Sequence, residues 1–425
     1  MPLSASSPPS PRHSPWQVFW VFLRLGLTSF GGPVAHLGYF RGELVQRRQW
    51  LTERSYADLV ALCQFLPGPA SSQVGMALGL LRAGWPGALA AWLGFTLPSS
   101  LLLALLGVGL ASGHAVLPAG AVQGLKVVAV AVVAQAVWGM ARQLCVGRAR
   151  VTLMALACGA ALLLPGMAAQ VLVMLAAAPA GWWLLGRGRG DAARAGAPDG
   201  LEGDDGLQPP LRKRTGVLLL AVFAALLVLL PLASDGLAAA QGGERASALL
   251  AMVDAFYRVG ALVFGGGHVV LPLLQAEVVG PGWVSSDAFL AGYGAAQAVP
   301  GPLFTFAAFL GASMPMWPGG WLGAAVCLVA IFVPSFLLVA GALPLWAPLR
   351  RNAHAQAALA GVNAAVVGLL LAALYHPVWT SAIHSAADFA LALAALVALV
   401  TWQVRPWIVV LVTAATSVLW ATWQG

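Results

Sequence analysis

Charge is the scarcest commodity in this sequence. Only 8% of its 425 residues are Asp, Glu, Lys or Arg, while 60% are hydrophobic and mean hydropathy is +0.85. An ordinary soluble domain carries about a quarter charged residues, so a soluble fold of this length is excluded. Cysteine is nearly absent: Cys63, Cys145, Cys158 and Cys327 stand in apolar segments without CxxC or Cys/His spacing, which argues against a disulfide framework or a zinc site. A GxxxxGK[ST] loop, a paired-carboxylate motif, a Ser-His-Asp set and a metal-ligating cluster are also missing. The chain therefore reads as neither an ATP-driven pump nor an enzyme, and no cofactor is expected. The apolar runs do not alternate with polar residues in segments of about ten, which excludes an outer-membrane barrel.

What is present is apolar length, together with 49 Gly and 28 Pro. That combination describes an all-α polytopic membrane protein whose helices pack closely and are often broken. The excess of 22 Lys and Arg over 14 Asp and Glu gives a net charge of +8. Most of it falls in short loops, with no basic helix and no interleaved aromatics, so nucleic acid is not an expected partner and the lipid bilayer is. The Pro/Ser-rich stretch 1–15 reads as a disordered tail. The first apolar run contains Arg24 and no small-residue cleavage site follows it, so a removed signal peptide is not expected.

Apolar spans are expected near 16–31, 55–81, 86–110, 120–141, 151–166 and 168–186. A charged cytoplasmic linker follows at 187–215, then a connecting span at 216–233. Six more are expected near 247–265, 286–314, 319–346, 355–375, 384–402 and 405–422, about thirteen in all. The two blocks of six, 16–186 and 247–422, are copies of each other. FLRLGLTSFGG from Phe22 answers FYRVGALVFGG from Phe256, pairing Arg24 with Arg258, and WLT at Trp50 answers WVS at Trp283. QFLPGP from Gln64 answers QAVPGP from Gln297, and Pro98-Ser99 answers Pro334-Ser335. GLKVV from Gly124 answers GVNAA from Gly361, pairing Lys126 with Asn363.

Six spans plus one insert the second copy upside down, and loop charge supports that parity. With a cytoplasmic amino terminus, the inner side of the first copy holds Arg12, Arg82, Arg142, Arg148, Arg150 and the linker's six basic residues, eleven in all. The outer side holds four, Arg41, Arg47, Arg48 and Arg54, in the loop 31–52 and just beyond it. In the second copy the bias moves to the opposite loops through Arg350, Arg351 and Arg405. The four outer arginines are the exception: either their loop is re-entrant or its charges serve a purpose of their own. An odd span count places the carboxyl terminus on the periplasmic side.

Inverted-repeat transporters hold substrate between the copies, where broken helices offer N–H groups. The two Pro-Gly-Pro triplets, Pro67-Gly68-Pro69 and Pro300-Gly301-Pro302, each follow a glutamine, Gln64 or Gln297, and interrupt 55–81 and 286–314. Hydroxyls open the half-helices beyond them, Ser71 and Ser72 in one copy and Thr305 in the other. Such helix starts favour an anion; the bland alternative is a packing kink. The glycine turns Gly31-Gly32-Pro33 and Gly265-Gly266-Gly267 allow close backbone approach to a ligand or to a neighbouring helix. Arg24 and Arg258, at equal depth in apolar spans, suit anion binding or snorkelling, and Lys126 with its partner Asn363 is a second such pair. His36 and His268 sit beside the glycine turns, and His36 reads as loop-facing without a chemical role. Asp58, Asp254 and Asp388 are the carboxylates near span interiors, Asp58 being explained by a capping box with Ser55.

At FGGPVAHLGYFRGELVQRRQWL, ALCQFLPGPASSQVGMALG, FGGGHVVLPLL and AVPGPLFTFAAFLGA the chain strongly resembles the long-chain chromate ion transporter family. The resemblance covers both copies. It implies efflux of chromate across the bacterial inner membrane, conferring chromate resistance, by two homologous halves of opposite orientation. It assigns the family's motifs here to Gly31, Gly32, Pro33, Gln64, Pro67, Gly68 and Pro69, and to Gly265, Gly266, Gly267, His268, Gln297, Pro300, Gly301 and Pro302. A dianion leaving a cell held negative by 100 mV gains about 4.6 kcal/mol, so export needs no further energy source, though a proton gradient is an alternative drive. Sulfate, of equal charge and shape, is the alternative substrate, and a homodimer is one option for assembly.

Overall fold

The computed structural model describes residues 14–112, 118–164, 166–186, 211–239, 243–264, 267–346, 349 and 352–424. Among the described residues it is all-helical, with no strand. The first copy contributes α1 (Pro15–Thr28), α2 (Gly32–Phe40), α3 (Glu53–Phe65), α4 (Ala70–Ala111), α5 (Ala119–Leu144), α6 (Arg148–Leu163) and α7 (Met167–Gly186). Helix α8 (Lys213–Ala239) stands between the copies. The second contributes α9 (Glu244–Leu262), α10 (Val270–Val278), α11 (Ser286–Ala296), α12 (Phe306–Ser313), α13 (Gly320–Ala342), α14 (Ala353–Ala373), α15 (Ala386–Val400) and α16 (Pro406–Gln424). The tail to residue 13 and linker residues 187–210 lie outside the described residues.

Among the described residues seven helical segments are long and apolar enough to cross a membrane, in α4, α5, α7, α8, α13, α14 and α16. Two of the other expected spans are divided. Stretch 55–81 is α3 plus the first third of α4, and 286–314 is α11 plus α12, each broken at its Pro-Gly-Pro triplet. Helix α4 is itself two helices joined at Ala83 and Gly84, where Gly84 has φ +64°. There the chain doubles back so tightly that a side chain on Gly79 would strike the carbonyl of Gly87. The second copy reverses the same way between α12 and α13, where Gly311 meets Gly323. Glycine at these four positions lets the half-helix lie against the helix that follows it.

The stretch 31–52 is not a simple loop. It continues into α2 and a wide turn at Arg41–Arg47, and Phe40 and Leu44 are fully buried. Phe40 packs its ring on Phe22 and Phe95. The repeated Trp-x-Thr/Ser landmark proves to be a helix start: Thr52 caps α3 and Ser285 caps α11 through their side-chain oxygens. Thr52, rather than the expected Ser55, is therefore the cap, because α3 begins at Glu53.

The copies exchange partners. Helix α5 of the first packs on α15 and α16 of the second, and α14 of the second packs on α6 and α7 of the first. Repeat-equivalent glycines make both exchanges: Gly124 seats against Ala414 of α16, and Gly361 against Gly181 of α7. Within each copy the first helix lies on the Pro-Ser helix, α1 on α4 and α9 on α13, through Gly26 and Gly260 at equivalent positions. Helix α8 has no counterpart in either copy, packs on α9 and α13, and leaves Leu218, Val228, Leu229 and Leu232 exposed.

Candidate functional site

Each Pro-Gly-Pro triplet forms a break because two prolines lack an N–H and the glycine takes a conformation other residues avoid. Gly68 has φ +119° and Gly301 φ +108°. After the first triplet α4 starts at Ala70 with Pro69 as its cap residue, and no side chain bonds its first N–H groups. After the second, a short turn at Leu303–Thr305 leads into α12, and the Thr305 hydroxyl donates to the Pro302 carbonyl at 2.7 Å. Gln73, fully buried, donates its Nε2 to the Pro67 carbonyl at 2.6 Å and braces the first break. Gln64, by contrast, is exposed at the end of α3.

The two breaks cross. The Gly68 N–H donates to the Val263 carbonyl at 2.6 Å, and the Gly301 N–H donates to the Ser29 carbonyl at 2.9 Å. Ser29 and Val263 end α1 and α9 and occupy equivalent places in the repeat. Each copy thus lays its triplet on the end of the other copy's first helix. The Pro-Ser landmarks meet there as well: a side chain on Gly68 would come within 2.8 Å of Ser335 Oγ, and one on Gly301 within 2.7 Å of Ser99 Oγ. A Cβ on Gly267 would lie 3.4 Å from Pro33 Cγ, its repeat equivalent. Reciprocal contacts, with equivalent residues touching in the middle, are what a two-fold relation between the copies produces.

This crossing holds buried polar atoms without a protein partner: Ser29 Oγ, Ser72 Oγ, Gln73 Oε1 and Ser335 Oγ, all on side chains at most 3% exposed. Gln297 Nε2 is another. Leaving such a group unpaired costs about 1–3 kcal/mol, so its presence calls for a ligand or water. A cavity of about 20 Å³ opens beside Gln297, lined also by Gly31, Gly32, Gly301, Leu303 and Pro406. That volume admits about one water. Its first-copy glycine turn has φ +98° at Gly31 and +80° at Gly32. His36 is buried rather than loop-facing, its Nδ1 3.3 Å from Ser71 Oγ and its ring edge-on to Phe95.

The cationic residues expected at the site are elsewhere. Arg24 lies on the exposed face of α1. Arg258 is turned toward Asp254 at 2.9 Å and Glu277 at 3.0 Å, so the two arginines do not converge. Lys126, buried in α5, bonds Asp287 of α11 at 2.9 Å, and its partner Asn363 is half-buried in α14 with Oδ1 unbonded. The basic residues of the first loop hold that loop together, since Arg41 pairs with Glu53, and Arg47 and Arg48 both pair with Glu43. Gly265, Gly266 and the His268 side chain lie outside the described residues. Sequence reasoning left Ser29, Gln73, Ser99 and Ser335 out of the site. The doubled Pro-Ser was the available signal for two of them, because a landmark kept in both copies serves both. Among the described residues no group of three or more His, Cys, Asp or Glu could hold a metal.

Comparison with known proteins bears on these observations. The family described as "Chromate transporter" matches residues 16–182 and 250–418. A probable chromate transport protein of Synechococcus elongatus is 27% identical, over 97% of this chain and 97% of its own. A chromate transport protein of Pseudomonas aeruginosa is 29% identical, over 85% of this chain and 80% of its own. An uncharacterized transporter of Bacillus subtilis is 30% identical over only 38% of this chain but 82% of its own, the proportion expected of a protein built from one copy. No solved structure matches. Two matched regions, coinciding with the two copies and together covering most of the chain, place this protein in the chromate transporter family.

Proposed function

We propose that the protein is a secondary transporter that exports chromate across the bacterial inner membrane and so confers chromate resistance. The two copies, 16–186 and 247–422, have opposite orientations within about thirteen spans, with the amino terminus and the linker 187–215 cytoplasmic and the carboxyl terminus periplasmic. The anion occupies the crossing, between the glycine turns and the Pro-Gly-Pro half-helices, and the copies rock about it to expose it to each side in turn. The observation that carries this reading is the reciprocal crossing with its unpaired buried hydroxyls and amides. Neutral donors suit a dianion that must bind and then leave, since a fixed counter-charge would hold it. Ser29, Ser72, Gln297 and Ser335 are the donors assigned to it, with Gly31, Gly32, Gly68 and Gly301 giving the backbone room to approach. Export follows the membrane potential, which favours a departing dianion by about 4.6 kcal/mol per 100 mV.

The test is uptake of labelled chromate into energised inverted membrane vesicles, with the potential and the pH gradient collapsed separately and with excess sulfate in parallel. Accumulation that falls when the potential is collapsed is the expected result. No accumulation under any gradient overturns export. Sulfate shares the charge and shape that these donors read, so full competition by sulfate assigns the site to tetrahedral dianions in general.

A further inference from the structure

The second copy contains an ionic cluster, two buried carboxylates on a half-buried arginine, that the described residues of the first copy lack. Arg258 on α9 bonds Asp254, one turn earlier on the same helix, and Glu277 on α10, and both carboxylates meet the same guanidinium nitrogen, Nη2. Asp254 is 4% exposed and Glu277 8%. Asp254 Oδ1 is buried and has no partner, and neither does Arg258 Nε. Two carboxylates on one guanidinium leave a net negative charge when all three are ionised. Burying that surplus is costly, and like charges at this range favour protonation of one acid. Among the described residues, the other basic side chains of the packed helices stand at helix starts: Lys213 and Arg214 on α8, Arg245 on α9 and His354 on α14. Asp235 of α8 is within electrostatic reach of Asp254, α10 offers Glu277, and α13 carries no acidic or basic side chain. His268 lies on the turn entering α10.

The repeat shows that this cluster is not needed to build the fold. In the first copy the position of Asp254 is Trp20, and the equivalent of Glu277, Glu43, is neutralised by Arg47 and Arg48, where the second copy has Pro281 and Gly282. The cluster also sits where it can act on the crossing. Arg258 is five residues before Val263, which accepts the Gly68 N–H, and it ties α9 to α10 across the second glycine turn.

We propose that Asp254, Arg258 and Glu277 form a site for one exchangeable proton, and that this proton is the coupling ion for anion export. The proton is taken from water on the periplasmic side, resides on a carboxyl oxygen of Asp254 or Glu277, and leaves to water on the cytoplasmic side. With both acids ionised, Arg258 clamps α9 to α10; with one protonated, the clamp is released and the two helices are free to move apart. The coupling half of the proposal rests on the chromate-export reading, whereas the proton site itself does not.

Two measurements separate them. Infrared difference spectra of the purified full-length protein, without anion, between acid and alkaline buffer are expected to show a protonated-carboxyl C=O band that Asp254→Asn and Glu277→Gln each remove or displace. An identical band in both variants overturns the proton site. In inverted vesicles with the potential clamped by potassium and valinomycin, an acid lumen is expected to drive chromate accumulation. Asp254→Asn should lower this accumulation at least tenfold while retaining chromate–chromate exchange. Glu277→Gln serves the same purpose if Asp254→Asn is not found in the membrane. Undiminished pH-driven accumulation in the variants overturns coupling. Loss of drive and exchange together in both variants assigns the cluster to structure and overturns it too. Absence of chromate movement in the unaltered protein sinks the export reading, and the infrared band then decides the proton site alone.

Discussion

At the scale of single residues, the crossing separates groups that shape the backbone from buried polar groups left without a partner. Gly68 and Gly301 belong to the first kind: each has positive φ, and each would drive a Cβ into a serine of the other copy. Gly68→Ala and Gly301→Ala should each destabilise the protein by about 1–3 kcal/mol and abolish transport, read as melting temperature in detergent and as chromate resistance. Ser29 and Ser335 belong to the second kind, fully buried with unbonded hydroxyls. Removing an unpaired buried hydroxyl relieves a desolvation penalty of about 1–3 kcal/mol. Ser29→Ala and Ser335→Ala are therefore expected to leave the melting temperature unchanged or raised while reducing chromate transport several-fold; an equal fall in both would make them packing residues.

Among elements, the half-helices and their reversals are the distinctive parts. A proline in a long apolar stretch announces a break, but the direction of the chain after it depends on which surfaces are small enough to touch. Gly79 and Gly87 bring the two arms of α4 together, and Gly311 and Gly323 do the same for α12 and α13. Gly79→Leu or Gly311→Leu should splay the reversal and cost at least about 1–3 kcal/mol, with loss of protein from the membrane as the measurement. The Lys126–Asp287 pair works at this scale too, tying α5 to α11 across the copies. Its carboxylate is largely exposed, so Asp287→Asn mainly leaves a buried ammonium without its partner, and a lowered melting temperature that Lys126→Met restores is the expected outcome.

For the whole molecule, the exchange of helices means that neither copy carries its own complete surroundings. Helix α14 covers α6 and α7, and α5 covers α15 and α16. Either copy expressed alone should fail to accumulate, whereas the two co-expressed as separate chains divided within 187–210 should restore chromate resistance. Resistance from one copy alone would contradict the shared site. The duplicated architecture also explains why one copy can diverge. Once the crossing is supplied by both, the second copy is free to carry Asp254, Arg258 and Glu277 as a cluster while the first settles Glu43 with Arg47 and Arg48.

Residue order alone determined the membrane class, the duplication and the breaks, because apolar length, recurrence of landmarks in one order and proline's missing N–H are properties of the chain and not of its neighbours. It also singled out Gly31, Gly32, Gln297 and Gly301, which line one cavity. It led away from the site where a side chain's direction mattered: Arg24 and Arg258 share a place in the repeat, yet one faces outward and the other turns to two carboxylates. The helical path of 31–52, the serines at the crossing and the pairing of Lys126 with Asp287 were decided only by the tertiary structure. Each depends on which helix of the other copy lies alongside, and long-range packing between two similar halves chooses among partners that sequence presents as equivalent.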